Sequence, residues 1–164
     1  EEGIDVSAMC TENIIAENTI LNNTLCGISL YGAPQNTIRN TTLVNNAYIG
    51  IGLYFSFFSY SSSDWNTIIG NTVMNSETGI VIKDSIYNTV SENWIEQNGC
   101  GINISIMFLF SDNNSLYHNN FVGNVLSAYD SCSNIWNASA PDGGNYWSDY
   151  TGVDGDGDGI GCEW

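Results

Sequence analysis

A short phrase recurs along most of this sequence, and it restricts the chain to repeat architectures. In its clearest copy, residues 66–82 read NTIIGNTVMNSETGIVI, with an Asn, a second Asn five residues later, an apolar residue two positions further on, and a Gly-Ile pair. The copies start 23, 30, 22 and 26 residues apart, at Asn13, Asn36, Asn66, Asn88 and Asn114. A period of about 22 residues indicates a solenoid, a propeller or an array.

The residues inside each copy predict β-strands. Runs such as Thr37-Ile38 and Thr89-Val90 are short, β-branched and bounded by Asn or Gly, and they indicate three short strands per turn. Stacked turns would place the first Asn of each copy above the next at about 4.8 Å, as an Asn ladder of the kind that stabilises stacked strands. We therefore predict an all-β fold, a right-handed parallel β-helix (β-solenoid) of about five to six rungs over residues 1–130. Residues 131–164 form an irregular tail rich in Trp, Gly and Asp.

Charge excludes several kinds of partner. The 164 residues carry 18 acidic side chains against Arg39 and Lys83, for a formal charge of −16. Nucleic acid and anionic membrane surfaces would repel such a chain, and no apolar run approaches the roughly 18 residues needed to span a bilayer. The chain opens on Glu1-Glu2 without a basic and apolar leader, which we interpret as a mature, processed product.

Two insertions follow the Gly-Ile-x-Leu strand of their rungs. The first, residues 54–61, reads YFSFFSYS, and the second, residues 106–110, reads IMFLF. Because they share a rung position two turns apart, both should project from one edge. They either fold over the coil as additional core or form an exposed contact surface. The contact residues would be Tyr54, Phe55, Phe57, Phe58, Tyr60, Met107, Phe108 and Phe110.

The cysteines indicate an oxidising compartment. There are five, with no CxxC spacing, at Cys10, Cys26, Cys100, Cys132 and Cys162. Cys26 and Cys100 occupy matching positions three rungs apart, roughly 14 Å, which is too far for a disulfide. The odd number leaves at least one thiol for an intermolecular bond. We expect Cys10 and Cys132, near one corner at opposite ends of the coil, to lock a joint between stacked subunits whose first rung has no cap.

Five Asn-x-Ser/Thr sequons occur, and they are either glycan acceptors or chance products of an Asn- and Thr-rich repeat. They begin at Asn22, Asn40, Asn103, Asn113 and Asn137.

The repeats and the tail together resemble a known family. Asn-Thr-Ile rungs followed by GNYWSDYTGVDGDGDGIG, residues 144–161, are similar to parallel β-helix repeat proteins of archaeal cell surfaces, which share their repeat with the periplasmic copper-binding NosD family. The resemblance implies an extracellular or periplasmic solenoid closed by an acidic tail. This chain departs from the family at Cys162-Glu163-Trp164, where Asp-Thr-Pro-Tyr is usual.

Catalytic and copper-binding patterns are not evident in the sequence. A glycoside hydrolase needs paired carboxylates, but no Asp-Asp pair is present and the single His118 falls at a rung corner. A lyase would need a basic residue beside an acidic cluster, and Arg39 and Lys83 have none in sequence. Copper prefers grouped soft ligands, whereas His118 and the methionines are scattered, at Met9, Met74 and Met107.

The tail contains a partial calcium loop. Asp154, Asp156 and Asp158 occupy positions 1, 3 and 5, Gly159 supplies the turn at 6, and the Ile160 carbonyl falls at 7. Position 9 is Cys162, so Glu163, Asp149 or the terminal carboxylate would have to supply further oxygens. The alternative is a solvated acidic tail.

These observations predict a non-enzymatic structural protein, located outside the cell or on its surface. Its partner would be further copies of itself, assembled into a sheath, surface layer or filament with calcium as cofactor. A carbohydrate-binding or adhesive module is the first alternative, and a calcium-assisted polysaccharide lyase is the second.

Overall fold

The computed structural model describes residues 1–139 and 143–151, and within them the chain forms strands and no helix. Three strands per turn build three parallel sheets, which confirms the predicted parallel β-solenoid. Sheet A has the longest strands, in the order β1 (Ile4–Ser7), β4 (Cys26–Tyr31), β7 (Ile49–Tyr54), β10 (Thr78–Lys83), β13 (Cys100–Ser105) and β16 (Leu126–Asp130).

The other two sheets are built from shorter strands. Sheet B has the order β14 (Ser115–Tyr117), β11 (Thr89–Ser91), β8 (Thr67–Ile69), β5 (Thr37–Arg39) and β2 (Ile14–Ala16). Sheet C has the order β17 (Tyr146–Trp147), β15 (Asn120–Val122), β12 (Trp94–Glu96), β9 (Thr72–Met74), β6 (Thr42–Val44) and β3 (Thr19–Leu21).

The interior is filled by columns of aliphatic side chains in register. Ile28, Ile51, Ile80 and Ile102 pair in successive strands of sheet A, and all four are fully buried. Each such side chain contributes about 1.5–3 kcal/mol by leaving water. Branched side chains suit these columns because they pack well against neighbours on a pleated surface.

Each corner of the coil contains a ladder of side chains that bond the next rung. At the first corner the backbone N–H of each Asn donates to the Oδ1 of the Asn one rung further on, at 2.7–2.9 Å. Its members are Asn13, Asn36, Asn66, Asn88, Asn114 and Asn134. A second ladder follows Asn18, Thr41, Asn71, Asn93, Asn119 and Asn145. The third corner, which the sequence reading missed, aligns Asn23, Asn46, Ser76, Asn98 and Asn124.

The residue before a ladder position adopts left-handed backbone geometry at most corners. Gln35, Glu92 and Asn45, one from each corner, have φ values of 59°, 58° and 56°. This geometry turns the chain and directs the following side chain inward. Non-glycine residues adopt it at a cost, which the ladder bonds offset.

A column of glycines lets successive rungs approach closely at the start of sheet A. A Cβ added to Gly50 would lie 2.6 Å from the carbonyl oxygen of Gly79 and 2.3 Å from Val73 Cγ1. Ser127 occupies the last position of the column, and its hydroxyl donates to the Asp149 carboxylate at 2.9 Å. Glycine is therefore required where another rung stacks above it.

The described part of the tail forms one more partial rung. Trp147 stacks on the buried Phe121 with ring centroids 4.4 Å apart, and Trp136 lies 5.7 Å from Trp147. The Asp130 carboxylate accepts hydrogen bonds from Trp136 Nε1 and Asn134 Nδ2 at 2.9 and 3.0 Å. These aromatic side chains cover the C-terminal end of the aliphatic core.

We expect Asn93→Ala to lower the free energy of unfolding by about 2–5 kcal/mol, because it would leave several buried backbone groups without partners. Asn93 Nδ2 donates to the carbonyls of Ile68 and Ser91, and its Oδ1 accepts from the Asn71 backbone. Urea unfolding would measure the change. The control is Asn13→Ala, at the exposed first position of a ladder, which should cost less than about 1 kcal/mol. Equal losses in the two variants would contradict a stabilising role for buried ladder bonds.

Candidate functional site

The two insertions project from one edge of the solenoid, as their shared rung position predicts. They follow β7 and β13, which flank β10 in sheet A. The insertions meet across the intervening rung, where Phe57 contacts Phe108 edge to face with centroids 4.7 Å apart. Phe55 in turn contacts Phe57 at 5.1 Å. The two loops therefore form one surface.

Most of this surface is open to solvent. Phe58 is fully exposed, Tyr60 is 84% exposed, and Phe110 is 68% exposed. Most of these side chains are exposed, so the exposed-surface interpretation describes them better than additional core. We define the aromatic edge as Phe55, Phe57, Phe58, Tyr60, Met107, Phe108 and Phe110. Residues 54–61 and 105–111 contain no charged side chain.

Tyr54 differs from the prediction and does not belong to the aromatic edge. Its ring turns back over sheet A, so that a Cβ on Gly52 would lie 2.4 Å from the ring. It stacks on Tyr31 at 4.8 Å. Burial raises the pKa of the Tyr54 hydroxyl, and the nearby Cys26 adds to the shift. The missing side chain at Gly52 makes room for this ring.

Hydrogen bonds close the base of each insertion. The backbones of Ser56 and Ser61 form an antiparallel bridge in the first loop. The buried Ser63 hydroxyl lies 2.9 Å from the carbonyl oxygens of both Leu30 and Tyr54. In the second loop, the Ser111 hydroxyl donates to the Ser105 carbonyl at 2.9 Å. The loop ends are thus fixed while their tips stay exposed.

The described cysteines lie apart from one another. Sheet register places Cys26 and Cys100 three strands apart, with Ile49 and Thr78 between them. Cys10 is exposed and Cys132 half-buried, near the first and last members of the first ladder. Burial raises the pKa of the Cys26 thiol from 9.0 to about 11, and the carboxylates of Glu2 and Asp5 add to the shift. Cys162 lies outside the described residues, and the intermolecular disulfide stays a prediction.

The sequons occupy different environments. Asn22, Asn40 and Asn113 are exposed corner residues with φ between 50° and 60°. Asn103 lies within β13, and its side-chain oxygen is buried without a hydrogen-bond partner. Asn137 is exposed in the tail. Glycosylation stays a prediction.

The residues considered for catalysis or metal binding lie on different parts of the coil. Arg39 is in sheet B, 3.4 Å from Glu17, whereas Lys83 ends β10 in sheet A. His118 is an exposed corner residue whose ring contacts Tyr117. No group of three or more His, Cys, Asp or Glu side chains converges within residues 1–139 and 143–151. The calcium-loop residues Asp154, Asp156, Asp158 and Ile160 lie outside the described residues.

The described part of the chain contains no helix with the length and hydropathy that a membrane span requires.

The sequence profile of the NosD family, described as periplasmic copper-binding protein (NosD), matches residues 2–152, so the chain belongs to that family. A probable ABC transporter binding protein NosD from Stutzerimonas stutzeri is 31% identical over 112 residues, which cover 59% of this chain. Its Pseudomonas aeruginosa counterpart is 34% identical over 82 residues, or 50% of this chain. The matches span only 25% and 18% of those relatives.

Solved structures of a periplasmic alginate epimerase, AlgG, share the fold. One matches 82% of this chain with a TM-score of 0.60 and 21% identity, covering 36% of that protein. A double mutant matches with a TM-score of 0.64 and 24% identity, covering 34%. At this identity the likeness shows the solenoid alone.

The copper chemistry in the family's description does not fit the described side chains. Met9 follows β1, Met74 ends β9 in sheet C, and Met107 lies in the second insertion. Cys26 is on sheet A and His118 is at a corner of the coil. Copper sites gather thiolate, thioether and imidazole ligands around one ion. Apart from the chain neighbours Met9 and Cys10, the described groups of these kinds lie on separate rungs and faces.

We expect the exposed Cys10 to react with iodoacetamide well before Cys26. At pH 8, raising the pKa of the Cys26 thiol from 9.0 to about 11 reduces its thiolate fraction roughly 100-fold, and the thiolate is the reactive form. Labelling followed by peptide mass spectrometry would measure both rates, and the Cys26 rate should rise towards pH 11. Because the folded state holds this proton more tightly, stability should fall as pH rises from 9.0 to about 11. Rapid labelling of Cys26 at pH 8 in the folded protein would contradict its burial.

Proposed function

We propose that this chain is a non-catalytic structural module of an extracytoplasmic protein, and that its aromatic edge makes side-to-side contacts with a second copy. The observation that carries this proposal is the joining of two separate insertions, through Phe57 and Phe108, into one exposed apolar surface. Exposed apolar surfaces of this kind usually mark an interface. The location follows from the family, which is described as periplasmic.

Charge favours a second copy over a basic partner. The two loops contribute no charged side chain, so pairing two such surfaces buries no carboxylate. The formal charge of −16 resides on other parts of the chain and opposes association at long range. That repulsion is screened beyond about 8 Å at physiological ionic strength. A like-charged pair joined by an apolar contact therefore associates more strongly as salt rises, whereas a contact with a basic partner weakens.

The prediction is that Phe58→Ser combined with Phe110→Ser weakens self-association about tenfold or more, since exposed aromatic anchors dominate interface energies. Sedimentation velocity over a range of protein and salt concentrations would measure it. Tyr48→Ser is the matched control, because Tyr48 is 54% exposed at the opposite end of β7 from the edge.

A monomer at high protein concentration and high salt would contradict the proposal. The carbohydrate-binding alternative predicts a different result, in which neutral oligosaccharides perturb the Phe58 and Tyr60 resonances of a protein that stays monomeric.

Calcium in the tail is a second part of the proposal, supported by the spacing of Asp154, Asp156 and Asp158. A bound cation would reduce the repulsion between copies. Calorimetry should show calcium uptake by the chain and an affinity lower by several-fold in a variant with Asp156→Asn and Asp158→Asn, because ligand charge sets affinity. No uptake at about millimolar calcium, the weak end of the range for such loops, would refute this part.

A further inference from the structure

Asp84 lies beneath the place where the two insertions meet. It directly follows β10, in the rung between them, and it is 3% exposed. Its Oδ1 accepts hydrogen bonds from three consecutive backbone N–H groups of the second insertion, those of Met107, Phe108 and Leu109, at 2.8, 2.9 and 2.9 Å. Sequence reading missed this contact because the acid and the amides are separated by more than one repeat.

This arrangement fixes the backbone of the second insertion without covering its side chains. Successive N–H groups that converge on one point form an anion-binding concavity, and the Asp84 carboxylate occupies it. Hydrogen bonds to an ionised acceptor are about twice as strong as neutral ones. A buried carboxylate is costly unless such donors satisfy it, so the acid and the loop hold each other in place. Met107, Phe108 and Leu109 stay about half exposed or more.

We propose that Asp84 is the positioning residue of the aromatic edge: it holds the second insertion so that Phe108 meets Phe57 and the two loops present one surface to a second copy. This inference rests on the proposed side-to-side contact. The bridge between Ser56 and Ser61 closes the first insertion, and the Ser111 hydroxyl closes the base of the second. Asp84 in addition anchors the second insertion to the neighbouring rung. Without that anchor, the second loop moves independently of the first and the surface is divided.

Two substitutions at Asp84 change the carboxylate while keeping the left-handed backbone geometry accessible. Asp84 has a φ of 52°, a geometry that both Asn and Gly adopt readily. Asp84→Asn retains an oxygen acceptor without the charge, and Asp84→Gly removes the acceptor. Glu92→Gln, at an exposed corner on another side of the coil, also removes one negative charge and controls for the change in repulsion.

Hydrogen exchange measured by NMR tests the anchor, and sedimentation velocity of the same proteins tests its consequence. In Asp84→Gly we expect the amides of Met107, Phe108 and Leu109 to exchange about tenfold faster or more, while the amide of Val90 in β11 keeps its protection. Self-association should weaken about tenfold or more. The exchange rates and the self-association of Asp84→Asn should lie between those of Asp84→Gly and the wild type. Glu92→Gln should match the wild type in both measurements.

The outcomes are separable. Unchanged exchange at residues 107–109 in Asp84→Gly would overturn the anchor, whatever the association state. Faster exchange with unchanged association would overturn the positioning role. If the wild type does not associate, the proposed function is wrong. The hydrogen-exchange rates at residues 107–109 still show whether Asp84 anchors the second insertion. If Asp84→Gly does not fold, Asp84→Asn tests whether the negative charge positions the second insertion. Exchange rates and self-association in Asp84→Asn equal to those of the wild type would overturn the role of the charge.

Discussion

The hydrogen bond from a corner backbone N–H to the side-chain oxygen of the next rung is the interaction on which this structure depends. A coil of three short strands must turn sharply three times per rung, and each turn removes backbone groups from the regular ladder. Buried Asn side chains satisfy those groups in turn: the Asn93 oxygen accepts from the Asn71 backbone, and the Asn119 oxygen accepts from the Asn93 backbone. Because a ladder oxygen accepts from the backbone of the rung before it, the repeat of Asn fixes the axial register of the coil.

That constraint explains which surface positions are free to vary. The corner residue before each ladder position needs left-handed geometry but points outward, so its side chain is not specified by the fold. Glu17, Asn40, Gly70 and Glu92 occupy equivalent positions at the second corner with φ between 50° and 66°. Elsewhere, Trp65 and Tyr87 use adjacent positions of this kind to stack at 4.4 Å. Acidic residues such as Glu17 and Glu92 can therefore occupy these corners without disturbing the core.

The fold was predictable because the period is a local property of the sequence. The sequence was sufficient to predict the first two Asn positions, the Gly-Ile strand and the common location of the insertions. The third ladder was harder to predict because Ser76 interrupts its series of Asn residues. The final rung was harder to predict because Asn134 and Asn145 lie further apart in sequence than the corresponding pairs of earlier rungs. Tyr54 and Asp84 could not be assigned from sequence, since one depends on the space above Gly52 and the other on amides two dozen residues away.

The solenoid core and the aromatic edge also differ in what their loss would affect. Ladder and core contacts lie between consecutive rungs, so their removal acts on stability throughout a quasi-one-dimensional fold. The edge is built from loops that interrupt the period, and its rings contribute little to the buried columns. A chain under selection for stability alone would gain nothing from exposing Phe58, Tyr60 and Phe110. An exposed apolar surface lowers solubility, and a contact that buries it would explain why it is present. Because both loops lack charged side chains, a second copy could bury this surface without burying a charge.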